Sequence, residues 1–246
     1  MNALLFYPCY HLVMAALYLI PNTLGSTRID HVLPAAVADI VGTIRHYIVE
    51  DVRTARRFLR LVDHTIDIDS LTFYELNGHT PAGQVASFLT PLIEGHDMGV
   101  ISEAGCPAIA DPGADVVALA QQHGLRVVPM VGPSSILLAL MASGFNGQNF
   151  AFNGYLPIRN PERSRCLRRL EARAHQEHQS QLFIETPYRN RTLVEDMLHT
   201  LQPQTMLCIA TDITLETEQI RTLSIGEWCR TELPDLNKRP TIFIIY

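Results

Sequence analysis

Lysine is nearly missing from this 246-residue chain: among 19 Lys+Arg positions only Lys238 is lysine and the rest are arginine. That removes any Walker-type phosphate loop, which needs a Gly-Lys-Ser/Thr ending, and leaves almost no amine for Schiff-base chemistry. Cysteine is sparse too. Cys9, Cys106, Cys166, Cys208 and Cys229 are far apart and form no Cys-x-x-Cys, which excludes a disulfide framework and suits a reducing, cytoplasmic location. His175 and His178 lack an acidic or thiol partner at a recognised ligand spacing, so no metal site is expected. No Gly-x-Gly-x-x-Gly is present, and a dinucleotide fingerprint is therefore lacking. With 25 acidic residues the formal net charge is -6, so bulk electrostatics do not draw the chain to nucleic acid or anionic lipid. A nucleic-acid role requires a local basic patch.

What is present is the composition of a folded protein, 47% hydrophobic and 18% charged, with room for one large domain or two small ones. No charged side chain precedes Arg28, and 4–20 is apolar. Yet no basic segment leads this run, Pro8 and His11 interrupt it, and Leu17-Tyr18-Leu19-Ile20 before Pro21 reads as a buried strand. A peripheral extension over 1–16, holding the start of the first strand, is expected rather than an exported or membrane-anchored segment. Met14 is an alternative start.

Short apolar runs then alternate with amphipathic stretches. The pattern predicts strands at Leu17 to Ile20, Tyr47 to Val49, Thr72 to Leu76, Met98 to Ser102 and Arg126 to Met130. Between them it predicts a helix from Asp30 to about Val41, an arginine-rich helix from Val52 to about Leu61, a Thr80-capped helix to about Glu94, and one from Ala114 to Gly124. A Ser134-capped helix ending at Gly144 follows. This βα alternation implies a mostly parallel sheet with helices on both faces. From Asn146 to Pro157 the composition reads as a connection. Beyond it come helices near 161–177 and 189–201 and strands near 181–184, 205–211, 218–224 and 241–246, several consecutive, which imply a mixed sheet. The expected architecture is two α/β domains, 17–147 with the parallel sheet and 148–246 with the mixed one, and a cofactor cleft between them.

Ligands of open parallel sheets lie beyond the carboxyl ends of the strands. The loops there are Pro21-Asn22-Thr23-Leu24-Gly25, Glu50-Asp51-Val52-Arg53, the Gly-, Pro- and Ala-rich stretch from Ser102 to Gly113, and Gly132-Pro133-Ser134-Ser135. Small residues with Gly and Pro let backbone approach a flat ligand while holding the loop stiff. Each loop alone also reads as an ordinary βα turn.

In this order, together with Gly154-Tyr155-Leu156-Pro157 and Glu185-Thr186-Pro187-Tyr188-Arg189, the loops resemble the tetrapyrrole methylase superfamily of S-adenosylmethionine-dependent methyltransferases. Within it the chain is most similar to the bacterial family that methylates a ribose 2'-hydroxyl of 16S ribosomal RNA. The resemblance covers 17–246, and Ser102 to Gly113 is its most specific element. Val52 departs from the family's threonine, Ala210-Thr211-Asp212-Ile213-Thr214-Leu215 stands where Ala-Arg-Glu-Leu-Thr-Lys is usual, and the small C-terminal extension of many such enzymes is lacking.

The resemblance implies S-adenosylmethionine as cofactor, touched by Leu24, Cys106, Ile109, Ser134, Ser135, Ile184, Ala210 and Thr241, and a homodimer acting on ribosomal RNA or the small subunit. It implies neither metal nor membrane. A ribose hydroxyl is a poor nucleophile and benefits from a base. Among the loop carboxylates Glu50, Asp51, Glu103 and Glu185, the expected catalytic set is Glu50 and Asp51 with Arg53, whose guanidinium can hold a phosphate or carboxylate. The same three residues also read as a salt bridge pinning the following helix. Arg159, Arg163, Arg165, Arg168, Arg169 and Arg173 read as the one basic concentration, either an RNA contact or a solvated face balanced by Glu162, Glu171 and Glu177. Two alternatives stay open: methylation of a corrinoid, porphyrinoid or other small acceptor, and a cofactor-binding, ribosome-associated protein without turnover.

Overall fold

A computed structural model describes residues 15–246, so nearly all of the expected extension, Met14 included, lies outside the described residues. The chain divides into two compact units. Unit 1 holds the described part of Met1–Pro21 and Pro34–Val131; unit 2 holds Asn22–Leu33 and Gly132–Tyr246.

Unit 1 is built on strands β1 (Ala16–Ile20), β2 (His46–Val49), β3 (Thr72–Glu75), β4 (Met98–Ile101) and β5 (Arg126–Pro129), all parallel in the order β3-β2-β4-β1-β5. Central β4 is buried at every position, as a parallel strand covered on both faces must be. Its Gly99 is required by crowding, since a Cβ there would lie 2.8 Å from both Ile20 and Tyr47. Leu17, Ile48, Met98 and Val100 join Phe88 and Val116 in one core. Because Ile20 and Val49 both pair with Ile101, β1, β4 and β2 end level, and the loops starting at Glu50 and Ser102 leave the sheet side by side.

Prolines redraw two expected helices. The stretch from Asp30 to Val41 is two helices, α1 (Ile29–Val32) and α2 (Ala36–Thr43), because Leu33, before Pro34, is forced out of the helical region to φ -120°, ψ 136°. Asp30 lies in the first turn of α1, whose N-cap is Arg28. Likewise α4 (Ala82–Phe88) and α5 (Thr90–Ile93) replace one helix, with Pro91 starting the second. Pro81, not Thr80, is the N-cap of α4; the Thr80 hydroxyl instead accepts from the Asn77 N–H at 3.0 Å. Helices α3 (Val52–Val62) and α6 (Gly113–Gln122) complete the unit.

Unit 2 contains β6 (Phe150–Tyr155), β7 (Ser180–Ile184), β8 (Met206–Thr211), β9 (Gln219–Ser224) and β10 (Thr241–Ile245) in the order β6-β7-β10-β8-β9. Only the β6–β7 pair is parallel. Strand β6 overturns the expected connection: its register slips between Phe152 and Tyr155, and Gly154 at φ +62° absorbs the irregularity that its Asn-Gly sequence had suggested was a turn. Side-chain alternation sorts this sheet into two faces. Phe183, Leu207, Ile209, Phe243 and Ile245 form one core with α8 (Glu162–Glu177), α9 (Asn190–Thr200) and α10 (Ile225–Trp228), where the Trp228 indole N–H donates to the Leu207 carbonyl at 2.9 Å. Leu182, Cys208, Ala210, Ile242 and Ile244 face α7 (Ser135–Ser143) instead.

Candidate functional site

At the strand ends of unit 1, Glu50 and Asp51 diverge in task although they are neighbours in sequence. Asp51 caps α3, accepting from the Thr54 N–H at 2.7 Å, and those bonds to Thr54 hold its carboxyl below the usual range. Glu50 is half-buried, and burial, then the charge of Asp111, pushes its carboxyl up; an N–H bond from Glu103 only partly offsets this. Glu103 is raised as well, by burial and by the charge of Asp51. Arg53 is exposed and makes no ion pair with either carboxylate among the described residues, so the salt bridge that would pin the helix is not what holds it.

The loop from Ser102 to Gly113 owes its shape to Asp111, a residue that no local sequence signal sets apart from the rest of the loop. Its carboxylate accepts from the Ala108 N–H at 2.9 Å and the Gly113 N–H at 2.7 Å. Gly105, Ala108 and Ala110 all adopt positive φ, 71°, 64° and 61°, which winds the backbone tightly. A Cβ at Gly113 would lie 2.8 Å from the Asp111 Oδ1, so glycine is required there. Burial raises the Asp111 carboxyl, and its two backbone donors work against that rise. Cys106 and Ile109 ride on this loop, and burial pushes the Cys106 thiol up, away from thiolate chemistry.

Unit 2 gathers most of the other expected cofactor contacts. Ile184 and Ala210 both pair with Ile242, and Thr241 is the residue beside it, so the three lie on adjacent strands at one end of the sheet. Leu24 and Ile184 pack against the same cluster as Ala210 and the α7 residues Ala139 and Leu140. Ser134 caps α7 by accepting from the Leu137 N–H, and Ser135 is the helix's first residue. The Thr241 hydroxyl takes a hydrogen bond from Asn190 Nδ2 at 3.2 Å and lies 3.3 Å from the Thr211 hydroxyl. This wall of small, apolar and hydroxyl-bearing side chains carries no cation, which fits an uncharged adenosine better than a phosphate.

Glu185, which the sequence had offered as a loop carboxylate, is a structural ion. Its side chain is 2% exposed and is bound by Arg163 at 3.3 Å and Arg189 at 2.7 Å. Burial alone would raise it; the hydrogen bonds from Arg189 and the Thr186 N–H, with the charges of Arg189 and Arg163, reverse that and hold it below the usual range. Arg163, 1% exposed, also reaches Asp196 at 2.8 Å, so it leaves the expected basic surface altogether. Nor is α8 the one basic concentration. Helix α3 carries Arg53, Arg56, Arg57 and Arg60 with no acidic residue among its eleven positions, a stripe legible in the i, i+3, i+4, i+7 spacing. Among the described residues no group of three or more His, Cys, Asp and Glu is placed to hold a metal ion.

No family model matches the chain. It is 27% identical over 223 residues to ribosomal RNA small subunit methyltransferase I of Vibrio cholerae, covering 91% of this chain and 73% of that one. It is 34% identical over 212 residues to the protein of the same name from Mesorhizobium japonicum, covering 84% and 66%. The chain belongs to the ribosomal RNA small subunit methyltransferase I family. Some members of that name are matched over only 48% of their length. The fold is that of tetrapyrrole methylases: uroporphyrin-III C-methyl transferase from Thermus thermophilus, complexed with S-adenyl homocysteine, superposes with TM-score 0.54 at 14% identity, covering 94% of this chain and 97% of that one.

The turn after β8 is fixed by Asp212. Asp212, at φ +51°, accepts from Arg239 at 2.8 Å and from the Thr217 hydroxyl at 2.7 Å, which ties the turn after β8 to the approach of β10. Thr211 is buried beside Thr241, so this pair places no charge there to satisfy.

Proposed function

We propose that the protein is an S-adenosylmethionine-dependent methyltransferase that modifies a ribose 2'-hydroxyl of ribosomal RNA. The observation carrying this reading is a sequence relationship to ribosomal RNA small subunit methyltransferase I that runs through 91% of the chain, thus through both units. The proposed cofactor contacts are Leu24, Cys106, Ile109, Ser134, Ser135, Ile184, Ala210 and Thr241. When bound, S-adenosylmethionine supplies a methyl group already activated on a sulfonium.

This chain's residues then have three tasks. Glu50, whose raised carboxyl is more basic than an ordinary one, takes the proton from the acceptor hydroxyl. Asp51 fixes the start of α3, and Arg53, in that first turn, binds the phosphate beside the acceptor ribose. Asp111 holds the loop from Ser102 to Gly113 in the wound form that presents its backbone. The assembly we propose is a homodimer in the cytoplasm, with Leu137 and Met141, 50% and 78% exposed and one turn apart on α7, as apolar surface for a second copy. Among the described residues no helix is long and apolar enough to cross a membrane.

The test is transfer of labelled methyl from S-adenosylmethionine to small ribosomal subunits, followed by digestion to nucleosides. A labelled 2'-O-methyl nucleoside is expected. Label appearing only in a small porphyrinoid, or no transfer by protein that still binds cofactor, overturns the reading in favour of the small-acceptor or non-catalytic alternative.

A further inference from the structure

We propose that the arginine stripe of α3 is the surface on which the phosphate backbone of the RNA docks, an inference that rests on the ribosomal RNA reading above. Arg53, Arg56, Arg57 and Arg60 are all exposed, while Ala55, Phe58 and Leu59 on the opposite side bury into unit 1. The helix therefore turns one uniformly cationic face to solvent. From Arg53 to Arg60 the stripe runs about 10 Å at ~1.5 Å per residue, enough to follow several atoms of a sugar-phosphate chain rather than one anion. It borders an open groove of about 550 Å³ lined by Asp51, Val52, Arg53, Arg56, Arg57, Arg60 and Glu75.

The groove's acids are already engaged. Asp51 is turned to the Thr54 N–H, and Glu75 accepts from the Asn77 amide at 2.8 Å. Arg56 is held by Asp69 at 2.5 Å, whereas Arg53, Arg57 and Arg60 have no ion pair among the described residues. On a chain of net charge -6, a stripe in which three of four arginines have no ion pair among the described residues is a place where a polyanion gains by releasing its own cations. The stripe also begins three residues after Glu50, in the helix that follows the strand end carrying the proposed base.

The α8 arginines offer less. Arg163 is buried, Arg165 pairs with Glu162 at 2.9 Å, and Arg173 pairs with Glu177 at 3.5 Å.

The experiment measures equilibrium binding of the full-length protein to transcribed small-subunit ribosomal RNA across a salt series, with calorimetry of S-adenosylhomocysteine binding and thermal melting as controls. Arg57→Glu/Arg60→Glu is expected to weaken RNA binding at least tenfold at low salt. The slope of log affinity against log salt should fall by roughly 1 to 2, since each phosphate contact contributes about 0.7 on a single strand. Cofactor affinity and melting temperature should stay as in the parent. Arg168→Glu/Arg169→Glu is expected to leave the slope unchanged. A parent-like slope in the α3 variant overturns the docking surface, as does loss of the slope in the α8 variant. If the parent methylates RNA and the α3 variant does so equally well at every salt concentration, the docking surface fails and the function stands. If the parent neither binds nor methylates RNA, both fail. Binding to intact subunits but not to bare RNA, lost in the α3 variant, assigns the stripe to an acidic protein face instead.

Discussion

Helix α3 spaces Arg53, Arg56, Arg57 and Arg60 along one face with no acid in the helix, whereas α8 scatters Arg163, Arg165, Arg168, Arg169 and Arg173 among Glu162, Glu171 and Glu177. A bare count of arginines, five against four, ranks α8 as the more basic element. Spacing reverses the order, because a helical residue's surroundings repeat every three to four positions and neighbours in sequence point apart. In α8 that periodicity sends Arg163 inward with Leu167, Leu170, Glu171 and Ala174. There the guanidinium bridges Glu185 and Asp196, and Glu171 accepts from the Thr205 hydroxyl at 2.6 Å and the Gln202 N–H at 2.7 Å. The same residue types that solvate one helix thus staple the other to β7 and α9. Counting arginines measures neither.

Substituting one arginine from each helix should break the comparison most visibly. Arg163→Met leaves buried Glu185 with Arg189 as its one arginine partner and takes the partner of Asp196 away, and should cost about 3 kcal/mol, while Arg57→Met, at an exposed position, should stay within roughly 0.5 kcal/mol of the parent. Urea denaturation of the two variants decides this; equal stabilities would mean that the buried bridge holds nothing. Acid should separate the same two regions next. Glu50 titrates above the usual carboxylate range and Glu185 below it. Methyl transfer should therefore be lost on acidification before the fold is. The stability contributed by Glu185 is present above its unfolded pKa and disappears only as pH falls through the lowered folded value. Glu50→Gln should cut turnover by about 10²–10⁴ and abolish the acid limb while cofactor binding survives. Coincident loss of activity and circular dichroism would contradict that separation.

Smaller effects test what surrounds the stripe. Asp51→Ala removes the cap of α3 and should lower the melting temperature by about 2–4 °C, the size expected for one lost cap in a chain of this length. Glu103→Gln should act in the opposite direction. Its carboxyl is raised, so its contribution to stability is fully present below the unfolded pKa and lost as pH rises through the folded value. The variant should melt slightly higher at neutral pH, and the gain should vanish on acidification through the ordinary carboxylate range. A gain that persists in acid would point to packing rather than charge.

The sequence by itself determined the alternation of strands and helices, the parallel first sheet and mixed second one, and the loops at which ligands are sought. These are written in local signals: β-branched runs, proline and glycine punctuation, and caps such as Asp51 and Ser134. Even the short α10 is announced by the Ser-x-x-Glu capping box of Ser224 and Glu227. Strand β6 was hidden because Asn153 and Gly154 read as a turn, and only pairing with β7 makes an irregular strand worth forming. Tertiary structure alone decided the rest. It placed Asn22–Leu33 and α7 with unit 2, set Ile184, Ala210 and Thr241 on adjacent strands, and made Asp111 the organiser of its loop. Above all it chose which charges to bury. A charge enters the interior only where partners from distant positions converge on it, as Glu185 and Asp196 do on Arg163 from 22 and 33 residues away, and no local pattern records that convergence.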